Sequence, residues 1–509
     1  MSRWTPPNFD DACVFFLRST QALVTRSRNP NLCRAIVIMS SILKKTITQK
    51  GVLNAVVTPP GSKSITNRAL ILSALANGTT TLTGALDCED TQIMFDGLSQ
   101  LGLTLDWNTE QCEITVHGQG GQFPKRQADI YVGNSGTTAR FLTAMLAFAD
   151  GDYRIHGKPR MHQRPIRDLV EALNTLGGNI EYEEEEGFPP LLIRNGGRKP
   201  VGIAAVCRLP SAVSISGSVS SQFLTALLLA SPLAAKEADV EIYVSGELVS
   251  KPYIDMTLRM MQSFGVTVVG NRPPDGCVGD SRQEAECGVP HVAARRSATY
   301  LVTKETAYQS PGPYSIEPDA SAASYFFAAA AICGGTITVQ GLTKNSLQGD
   351  VAFVECLEQM NCEVTWNADS ITVCRLPERP LRGISVDMNN ISDTAQTLAV
   401  VALFAEGTTE IRNIEHVRFK ETDRIADLAT ELRRFGAAVE ERQDGLRITP
   451  PEVLTPATVQ TYDDHRMAMS FAIAGLRLPG VVICDPDCTK KTFPDFFEML
   501  SGLSSSKRE

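Results

Sequence analysis

Two periodicities alternate along this chain. Six stretches rich in alanine and leucine place apolar residues three, four and seven positions apart, which is the spacing of helices with a buried face. These stretches open at Lys63, Ser135, Ser220, Ala320, Ser392 and Asp464. Most run into a glycine-led segment in which apolar and polar residues alternate, as over residues 336–339, and such alternation predicts a strand. The recurrence indicates a repeated supersecondary unit of about 70 residues.

A second helical pattern repeats in step with the first. It ends at a turn and leads into another predicted strand, and its copies read GLSQLGLTLDW, ALNTLGGNIEY, MMQSFGVTVVG, CLEQMNCEVTW and ELRRFGAAVEE. Each unit is therefore expected to contain two helices and several strands. Six such units predict an α/β (α+β) fold, and a chain of 509 residues is long enough for two domains.

The helix openings concentrate positive charge. Small or hydroxyl-bearing residues at a helix start are ordinary N-caps, and that interpretation suffices at most single positions. The formal net charge of the chain is −9, yet cations stand at or beside the openings: Lys63, Arg68, Arg140, Arg160, Arg164, Lys420, Arg424, Arg466 and Lys491. Helix N-termini with adjacent Lys and Arg bind anions. A local cationic cleft in an acidic protein favours small anionic substrates over nucleic acid, which needs a broad basic face.

Composition excludes several classes of protein. Hydrophobic residues make up 43% of the chain, but no apolar run reaches the ~18 residues of a membrane span. The 13 cysteines show no paired framework, which predicts a reducing compartment. Cys277, Cys287 and His291 lack a fourth ligand at a usual spacing, so we expect no zinc site.

The first 44 residues carry no repeat. They are rich in Arg, Ser and Thr, with acidic residues only at Asp10 and Asp11, a composition compatible with an organelle transit peptide. A disordered tail, with Met39 as the true start, is the alternative. Both interpretations stay open.

Seven motifs resemble those of the EPSP synthase family, the 3-phosphoshikimate 1-carboxyvinyltransferases. They are PGSKSITNR (60–68), GNSGTTAR (133–140), RMHQRPI (160–166), GSVSSQFL (217–224), KETDRI (420–425), YDDHRMAM (462–469) and DPDCTKKTFPDF (485–496). The motifs occur in the order typical of the family, and the resemblance covers about residues 50 to 503.

The resemblance implies two domains of three βαβαββ-like units each, with the active site in the interdomain cleft. The C-terminal-type domain, on the phosphoenolpyruvate side, would comprise residues 45–61 plus 317–503, and the N-terminal-type domain, on the shikimate 3-phosphate side, residues 62–316, with a tail at 504–509. Chain crossovers are expected near residues 59–63 and 314–319. The segment 271–297, rich in proline, glycine and mixed charge, is predicted to be an inserted solvent loop.

The implied reaction moves the enolpyruvyl group of phosphoenolpyruvate to the 5-hydroxyl of shikimate 3-phosphate, giving 5-enolpyruvylshikimate 3-phosphate and phosphate on the pathway to chorismate. By motif, shikimate 3-phosphate would be bound by Lys63, Ser64, Arg68, Ser220, Ser221, Gln222, Ser250, Tyr253, Asp393 and Lys420. Phosphoenolpyruvate would be bound by Lys63, Asn134, Gly136, Arg164, Gln222, Arg424, Arg466 and Lys491. No metal or cofactor is expected, because Lys and Arg neutralise the phosphates.

Acid–base chemistry requires groups that take the hydroxyl proton and protonate the methylene carbon. Asp393 and Glu421 match the family's carboxylates, and Lys63 is a further proton-donor candidate. From the residues alone, a helix cap is the favoured interpretation of Asp393. For Glu421 the favoured interpretation is an i,i+3 partner of Arg424.

Three further features bear on the resemblance to the family: two histidines and one loop. His416 stands where the family often has an asparagine four residues before its KETDR motif, which puts a shikimate-phosphate contact there in doubt. His465 resembles a family residue next to Arg466, with no role that we derive. The family is the target of glyphosate, and the loop that decides sensitivity matches at Gly136 and Thr137, with Phe141 where a proline often stands.

Two other functions are alternatives to enolpyruvyl transfer to shikimate 3-phosphate. A UDP-N-acetylglucosamine enolpyruvyl transferase would share the fold, but it usually presents a loop cysteine, and none lies near residues 160–164. A non-catalytic anion-binding paralogue would be expected to lose Asp393, Glu421 or a phosphate-binding cation, and all are present. The expected protein is a monomer that binds small anions and neither nucleic acid nor membrane. Its expected location is the cytoplasm, or a plastid if residues 1–44 are a transit peptide.

Overall fold

The computed structural model describes residues 44–196, 212–236, 238–270 and 296–504. The N-terminal extension up to residue 43 lies outside the described residues, as do Cys277, Cys287, His291 and most of the segment predicted to be a loop. A strand begins at Arg296, so the loop predicted over 271–297 extends two residues too far.

Helices occur in pairs, as the two repeated patterns predict. The first half contains α1 (Lys63–Leu75), α2 (Glu89–Gln100), α3 (Gly136–Leu146), α4 (Arg167–Thr175), α5 (Ser221–Ala234) and α6 (Lys251–Ser263). The second half contains α7 (Ala320–Cys333), α8 (Phe353–Gln359), α9 (Ala395–Ala402), α10 (Arg424–Arg434), α11 (His465–Arg477) and α12 (Phe496–Gly502). The odd-numbered helices are the alanine-rich runs of the repeat. They are buried on most sides, α7 from Ala320 to Ile332 without a break, which explains their uniformly apolar composition.

Strands of the first half are β3 (Asn77–Thr83), β4 (Thr104–Asn108), β5 (Glu113–Gln119), β6 (Gln127–Tyr131), β7 (Asp152–His156), β8 (Ile180–Tyr182), β9 (Leu191–Arg194), β10 (Ala212–Ser216), β11 (Val240–Ser245), β12 (Val269–Gly270) and β13 (Arg296–Val302). The rest are β1 (Lys44–Thr46), β2 (Leu53–Val57), β14 (Pro313–Ser315), β15 (Gly335–Gln340), β16 (Glu363–Trp366), β17 (Ser370–Arg375), β18 (Leu381–Arg382), β19 (Ser385–Asp387), β20 (Ala405–Glu406), β21 (Thr409–Arg412), β22 (Ala438–Arg442), β23 (Gly445–Thr449), β24 (Thr458–Val459) and β25 (Val482–Cys484).

The same pairing pattern recurs in every main sheet. Their orders are β14-β3-β5-β4, β6-β7-β9-β8, β10-β11-β13-β12, β2-β15-β17-β16, β19-β21-β23-β22 and β24-β25-β1. In each, the first pair is parallel and the following pairs are antiparallel. A parallel pair needs a crossover, and in four of the six sheets the odd-numbered helix lies between the two parallel strands in the chain. The α/β (α+β) architecture of six repeated units is thus confirmed.

Two units exchange their first strands. β2 precedes α1 in the chain but pairs with β15, whereas β14 precedes α7 but pairs with β3. The chain therefore crosses twice between the two halves, where the resemblance places the crossovers. The crossing segments lie side by side, since the amide of Ser62 donates to the carbonyl of Glu317 at 2.8 Å and that of Asp319 to Pro60 at 2.8 Å. Gly61 is required there, because a Cβ would lie 1.9 Å from the carbonyl oxygen of Gly84.

The described residues form two hydrophobic cores. One is built from residues between Ile65 and Ile316, and the other from Ile47, Leu53 and Val57 together with residues from Ala320 to Leu503. This division agrees with the proposed domains, whose boundaries remain our proposal. None of the described helices is long and apolar enough to cross a membrane.

Candidate active site

Helix N-termini from the first half meet at one cavity. Ser62, Ser135 and Ser220 cap α1, α3 and α5, and each side chain accepts a hydrogen bond from a backbone amide of the first turn. Residues of all three first turns line the cavity, as do residues of the second half. Free amides and the helix dipole favour negative charge here.

All ten residues predicted to bind shikimate 3-phosphate line this cavity. Further lining residues were not predicted: Thr137, Arg140, Pro165, Val219, Phe223, His416 and Phe419. Arg140 belongs to a motif that we singled out, so its place in the site could have been predicted from the sequence. Pro165, Val219 and Phe223 also lie within such motifs, whereas Phe419 lies outside all of them.

Arg68 is a buried cation without a counterion among the described residues. Only 2% of the residue is exposed, and its guanidinium donates to neutral groups: Nε to Oγ1 of Thr257 at 2.9 Å and Nη1 to the carbonyl of Ser64 at 2.9 Å. Burial lowers the pKa of Arg68 to about 10. A buried charge is costly unless it is paired, which indicates that a ligand anion completes this site.

Arg140 and Arg164 share this property. Both are buried, and neither has a salt-bridge partner among the residues that the structure describes. Arg140 donates to the carbonyl of Pro165 at 2.8 Å, and Arg164 to that of Asn134 at 3.0 Å. Burial lowers the pKa of both side chains. Three unpaired guanidinium groups around one cavity favour binding of more than one anionic group.

The turn before α3 brings part of the predicted phosphoenolpyruvate set together. An ideal Cβ on Gly136 would lie 2.5 Å from Nη2 of Arg164 and 2.9 Å from Oε1 of Gln222. The carbonyl of Asn134 accepts from both Arg164 and Lys491, the latter at 3.1 Å. Lys491 comes from the second half of the chain, so this contact joins the two halves.

Asp393 lies among three cations. Its carboxylate pairs with Lys420, with Nη1 of Arg424 at 3.3 Å and with Nη2 of Arg466 at 2.8 Å. Burial alone would raise the pKa of Asp393, but Arg466, Lys420 and Arg424 hold it well below its usual range. The carboxylate is therefore ionised and able to accept a proton.

Asp393 is not a helix cap. It lies in the 3-10 segment Asn389–Thr394, and Thr394 precedes α9 without a capping side-chain bond. The segment contains a kink at Ile391, where φ is −130° and ψ is 35°. The helix predicted to open at Ser392 therefore starts later, and both carboxylate oxygens of Asp393 contact cations.

Glu421 bridges two cations. Its carboxylate lies 2.8 Å from Nη2 of Arg424 and 2.9 Å from Nζ of Lys491. The predicted i,i+3 pair with Arg424 is thus present, and Glu421 forms a second ion pair with Lys491. Burial alone would raise the pKa of Glu421, whereas Lys491, Arg424 and Arg164 hold it well below its usual range.

Lys63 has a carboxylate partner that the sequence did not suggest. Its Nζ lies 3.2 Å from Oδ2 of Asp90 in the first turn of α2. Burial would lower the pKa of Lys63, but Asp90 and then Glu421 raise it overall. The ammonium is therefore protonated and available as a proton donor.

A second carboxylate stands behind Asp393. The hydroxyl of Tyr253 lies 3.0 Å from Oδ2 of Asp350 and 3.3 Å from Oδ2 of Asp393, and Ser321 also donates to Asp350. Burial, and then the charge of Asp393, raise the pKa of Asp350 to about 6. Sequence reasoning missed Asp350, which stands outside every motif that we used.

His416 lines the cavity and links the two halves. Its Nε2 lies 3.2 Å from Oγ of Ser250 and 2.9 Å from Oγ of Ser392. Burial, and then the charge of Lys420, lower the pKa of His416 to about 3, so the ring is neutral. His465 is also buried, and neither ring nitrogen has a hydrogen-bond partner among the described residues.

In the described part of the chain, no three His, Cys, Asp or Glu side chains are grouped to hold a metal ion.

Comparison with known proteins agrees with the motifs. The model of the family described as EPSP synthase (3-phosphoshikimate 1-carboxyvinyltransferase) matches residues 47–302 and 290–500. The chain is 48% identical over 451 residues to a protein of that name from Burkholderia vietnamiensis, covering 88% of this chain and 96% of the relative. It is 46% identical over 453 residues to one from Vibrio vulnificus, covering 89% and 97%.

Solved structures show the same fold. An EPSP synthase from Acinetobacter baumannii superposes with a TM-score of 0.69 at 24% identity, covering 91% of this chain and 98% of that one. The enolpyruvyl transferase NikO from Streptomyces tendae gives 0.66 at 15% identity, covering 90% and 96%. With the family model matching most of its length and relatives close to half identical, this chain belongs to the EPSP synthase (3-phosphoshikimate 1-carboxyvinyltransferase) family.

Proposed function

We propose that this protein transfers the enolpyruvyl group of phosphoenolpyruvate to the 5-hydroxyl of shikimate 3-phosphate and releases phosphate. The observation that carries the proposal is a cavity lined by the carboxylate of Asp393 and by Arg68, Arg140 and Arg164, three buried arginines without a salt-bridge partner among the described residues. Both substrates are anions, so their phosphates and carboxylates supply the charge that these cations lack.

Shikimate 3-phosphate is assigned to the side of the cavity formed by the first half. Hydroxyl and amide groups at the start of α5, from Ser220, Ser221 and Gln222, suit a phosphate or a hydroxylated ring. Arg68 lies beneath them with its charge uncompensated. Ser64, Ser250 and Tyr253 complete this lining.

Phosphoenolpyruvate is assigned to the region between Gly136 and the second half. The carbonyl of Asn134 accepts hydrogen bonds from Arg164 and Lys491 there. Arg424 and Arg466 each form an ion pair with Asp393. An incoming phosphate or carboxylate would compete with Asp393 and Glu421 for these cations.

This competition supports roles for the two carboxylates. The cations that hold the pKa of Asp393 low are the same ones that an anionic substrate would engage, so substrate binding should raise its basicity. Asp393 is therefore assigned as the base that takes the 5-hydroxyl proton. The protonated Lys63 is assigned to protonate the methylene carbon, or Glu421 does so after a substrate anion has displaced it from Arg424 and Lys491 and it has taken up a proton from solvent. The reverse transfer accompanies phosphate release.

No metal or organic cofactor is proposed, because Lys and Arg side chains compensate the phosphates. Turnover should survive a chelator, and activity lost to chelation and restored by a metal would contradict this. A cytoplasmic monomer without nucleic-acid or membrane partners is proposed on the acidic net charge, the bacterial relatives and the unpaired cysteines among the described residues.

The test is a steady-state assay of phosphate release. We expect release with shikimate 3-phosphate and phosphoenolpyruvate together, and none when either is omitted. UDP-N-acetylglucosamine in place of shikimate 3-phosphate should give no release. Release with UDP-N-acetylglucosamine but not with shikimate 3-phosphate would assign the protein to the other enolpyruvyl transferase reaction. No release with either acceptor would indicate an anion-binding paralogue.

A further inference from the structure

Arg160 reaches from the first half of the molecule to the backbone of the second. Its Nε donates to the carbonyl oxygen of Glu421 at 3.0 Å, and its Nη2 donates to that of Lys420 at 3.2 Å. The third nitrogen, Nη1, lies 3.3 Å from Oε1 of Gln163. One planar guanidinium thus binds two consecutive carbonyls of a segment about 260 residues away.

The backbone of Arg160 is held by a tightly packed turn. The 3-10 turn Met161–Gln163 follows directly, with Met161 fully buried. The amide of Lys158 donates to the carbonyl of Gly133 at 2.8 Å, and a Cβ on Gly157 would lie 2.3 Å from that carbonyl oxygen. The turn ends at Arg164, so Arg160 is fixed in place relative to the turn before α3.

The segment that Arg160 binds carries reactive side chains. Residues 420–423 lie outside regular secondary structure, between the 3-10 turn Glu415–Phe419 and α10. The side chain of Lys420 pairs with Asp393, and that of Glu421 with Arg424 and Lys491. A shift of this backbone would displace both side chains together.

We propose that Arg160 is a positioning residue that aligns the backbone of Lys420 and Glu421 with Arg164 for proton transfer. The proposal rests on the proposed function. All three guanidinium nitrogens of Arg160 already donate to protein oxygens, so its effect passes through the backbone that it binds. Lysine could not replace it, because an ammonium lacks the planar fork that spans two carbonyls.

The experiment compares Arg160→Ala and Arg160→Lys with the unmodified protein. A misplaced catalytic group costs roughly 10²-fold, so kcat should fall by about that factor in Arg160→Ala and substantially in Arg160→Lys, with a smaller change in KM for phosphoenolpyruvate. Dilute guanidinium chloride should restore part of the activity of Arg160→Ala, whereas methylammonium chloride at equal concentration should not. Arg167→Ala is the matched control, because Arg167 pairs at the surface with Glu186, and it should retain normal kcat.

Two results would overturn the inference. Either both Arg160 variants keep normal kcat, or Arg160→Ala loses activity in proportion to a lowered unfolding midpoint and guanidinium restores none of it. Because the unmodified protein is assayed alongside, its failure to turn over shikimate 3-phosphate and phosphoenolpyruvate would count against the proposed function instead.

Discussion

Arg164 lies directly against Gly136, where an ideal Cβ would be 2.5 Å from its Nη2. Arg164 is buried and donates to Asn134, so it has little freedom to retreat from an added methyl group. The absence of a side chain at residue 136 therefore allows a cation to approach the turn before α3.

We expect glyphosate to inhibit the unmodified protein in competition with phosphoenolpyruvate, and Gly136→Ala to weaken the inhibitor more than the substrate. The methyl group would displace Arg164 and Gln222, and a longer anion depends on that space more than a short one. The measurement is the inhibition constant against varied phosphoenolpyruvate, together with KM for phosphoenolpyruvate.

The matched control for this substitution is Gly502→Ala, since Gly502 has nothing within 4 Å of its Cβ position. Non-competitive inhibition, or equal loss of affinity for inhibitor and substrate in Gly136→Ala, would argue against the assigned pocket.

Asp393→Asn should reduce turnover while leaving anion binding intact or stronger. The substitution removes the proton acceptor, an effect of roughly 10²–10⁴-fold, and it also frees Lys420, Arg424 and Arg466 from their shared carboxylate. Calorimetric titration with shikimate 3-phosphate, alongside kcat, measures both effects. Near-normal kcat would refute the assignment of Asp393 as base.

Glu421→Gln should also lower kcat, again by roughly 10²-fold or more, because the amide can neither donate nor accept the proton. Glu415→Gln is the control, an exposed residue on the preceding turn that accepts a hydrogen bond from Gln443. If the two variants had equal kcat, Lys63 would be left as the proton donor.

The helix caps at the site could be predicted from the sequence, because they depend only on neighbouring residues. Caps at Ser135, Ser220 and Asp464 follow from residue type and the pattern of the next turn, and the structure confirms them. The cap expected at Ser392 was wrong, because the kink at Ile391 replaces the start of a regular helix with a 3-10 turn.

Long-range partners could not be predicted in the same way. Asp90 lies 27 residues from Lys63, and Asp350 lies 97 residues from Tyr253. Lys63 and Asp90 stand in the first turns of α1 and α2 of one unit, and no periodicity specifies that these two side chains meet. The Tyr253–Asp350 contact depends on how the two exchanged strands bring the halves together.

His416 should make the protein sensitive to acid. Its folded pKa of about 3 lies below the ordinary value of 6.5, so the neutral ring contributes stability that is complete above about pH 6.5 and declines as the pH falls toward 3. His416→Asn should remove this part of the loss. Free energies of unfolding from denaturant titrations at several pH values measure it, and an unchanged slope between pH 6.5 and 4 would contradict the buried, neutral imidazole.

The central claim is that one cavity joins two small anions through an enolpyruvyl transfer. The most direct measurement is 13C NMR of a reaction containing phosphoenolpyruvate labelled in its vinyl carbons, shikimate 3-phosphate and the purified protein. The account predicts labelled vinyl signals of an enol ether on shikimate 3-phosphate, formed together with an equal amount of phosphate and absent with Asp393→Asn over the same period. Hydrolysis of phosphoenolpyruvate to labelled pyruvate, or no change in the label, would contradict it.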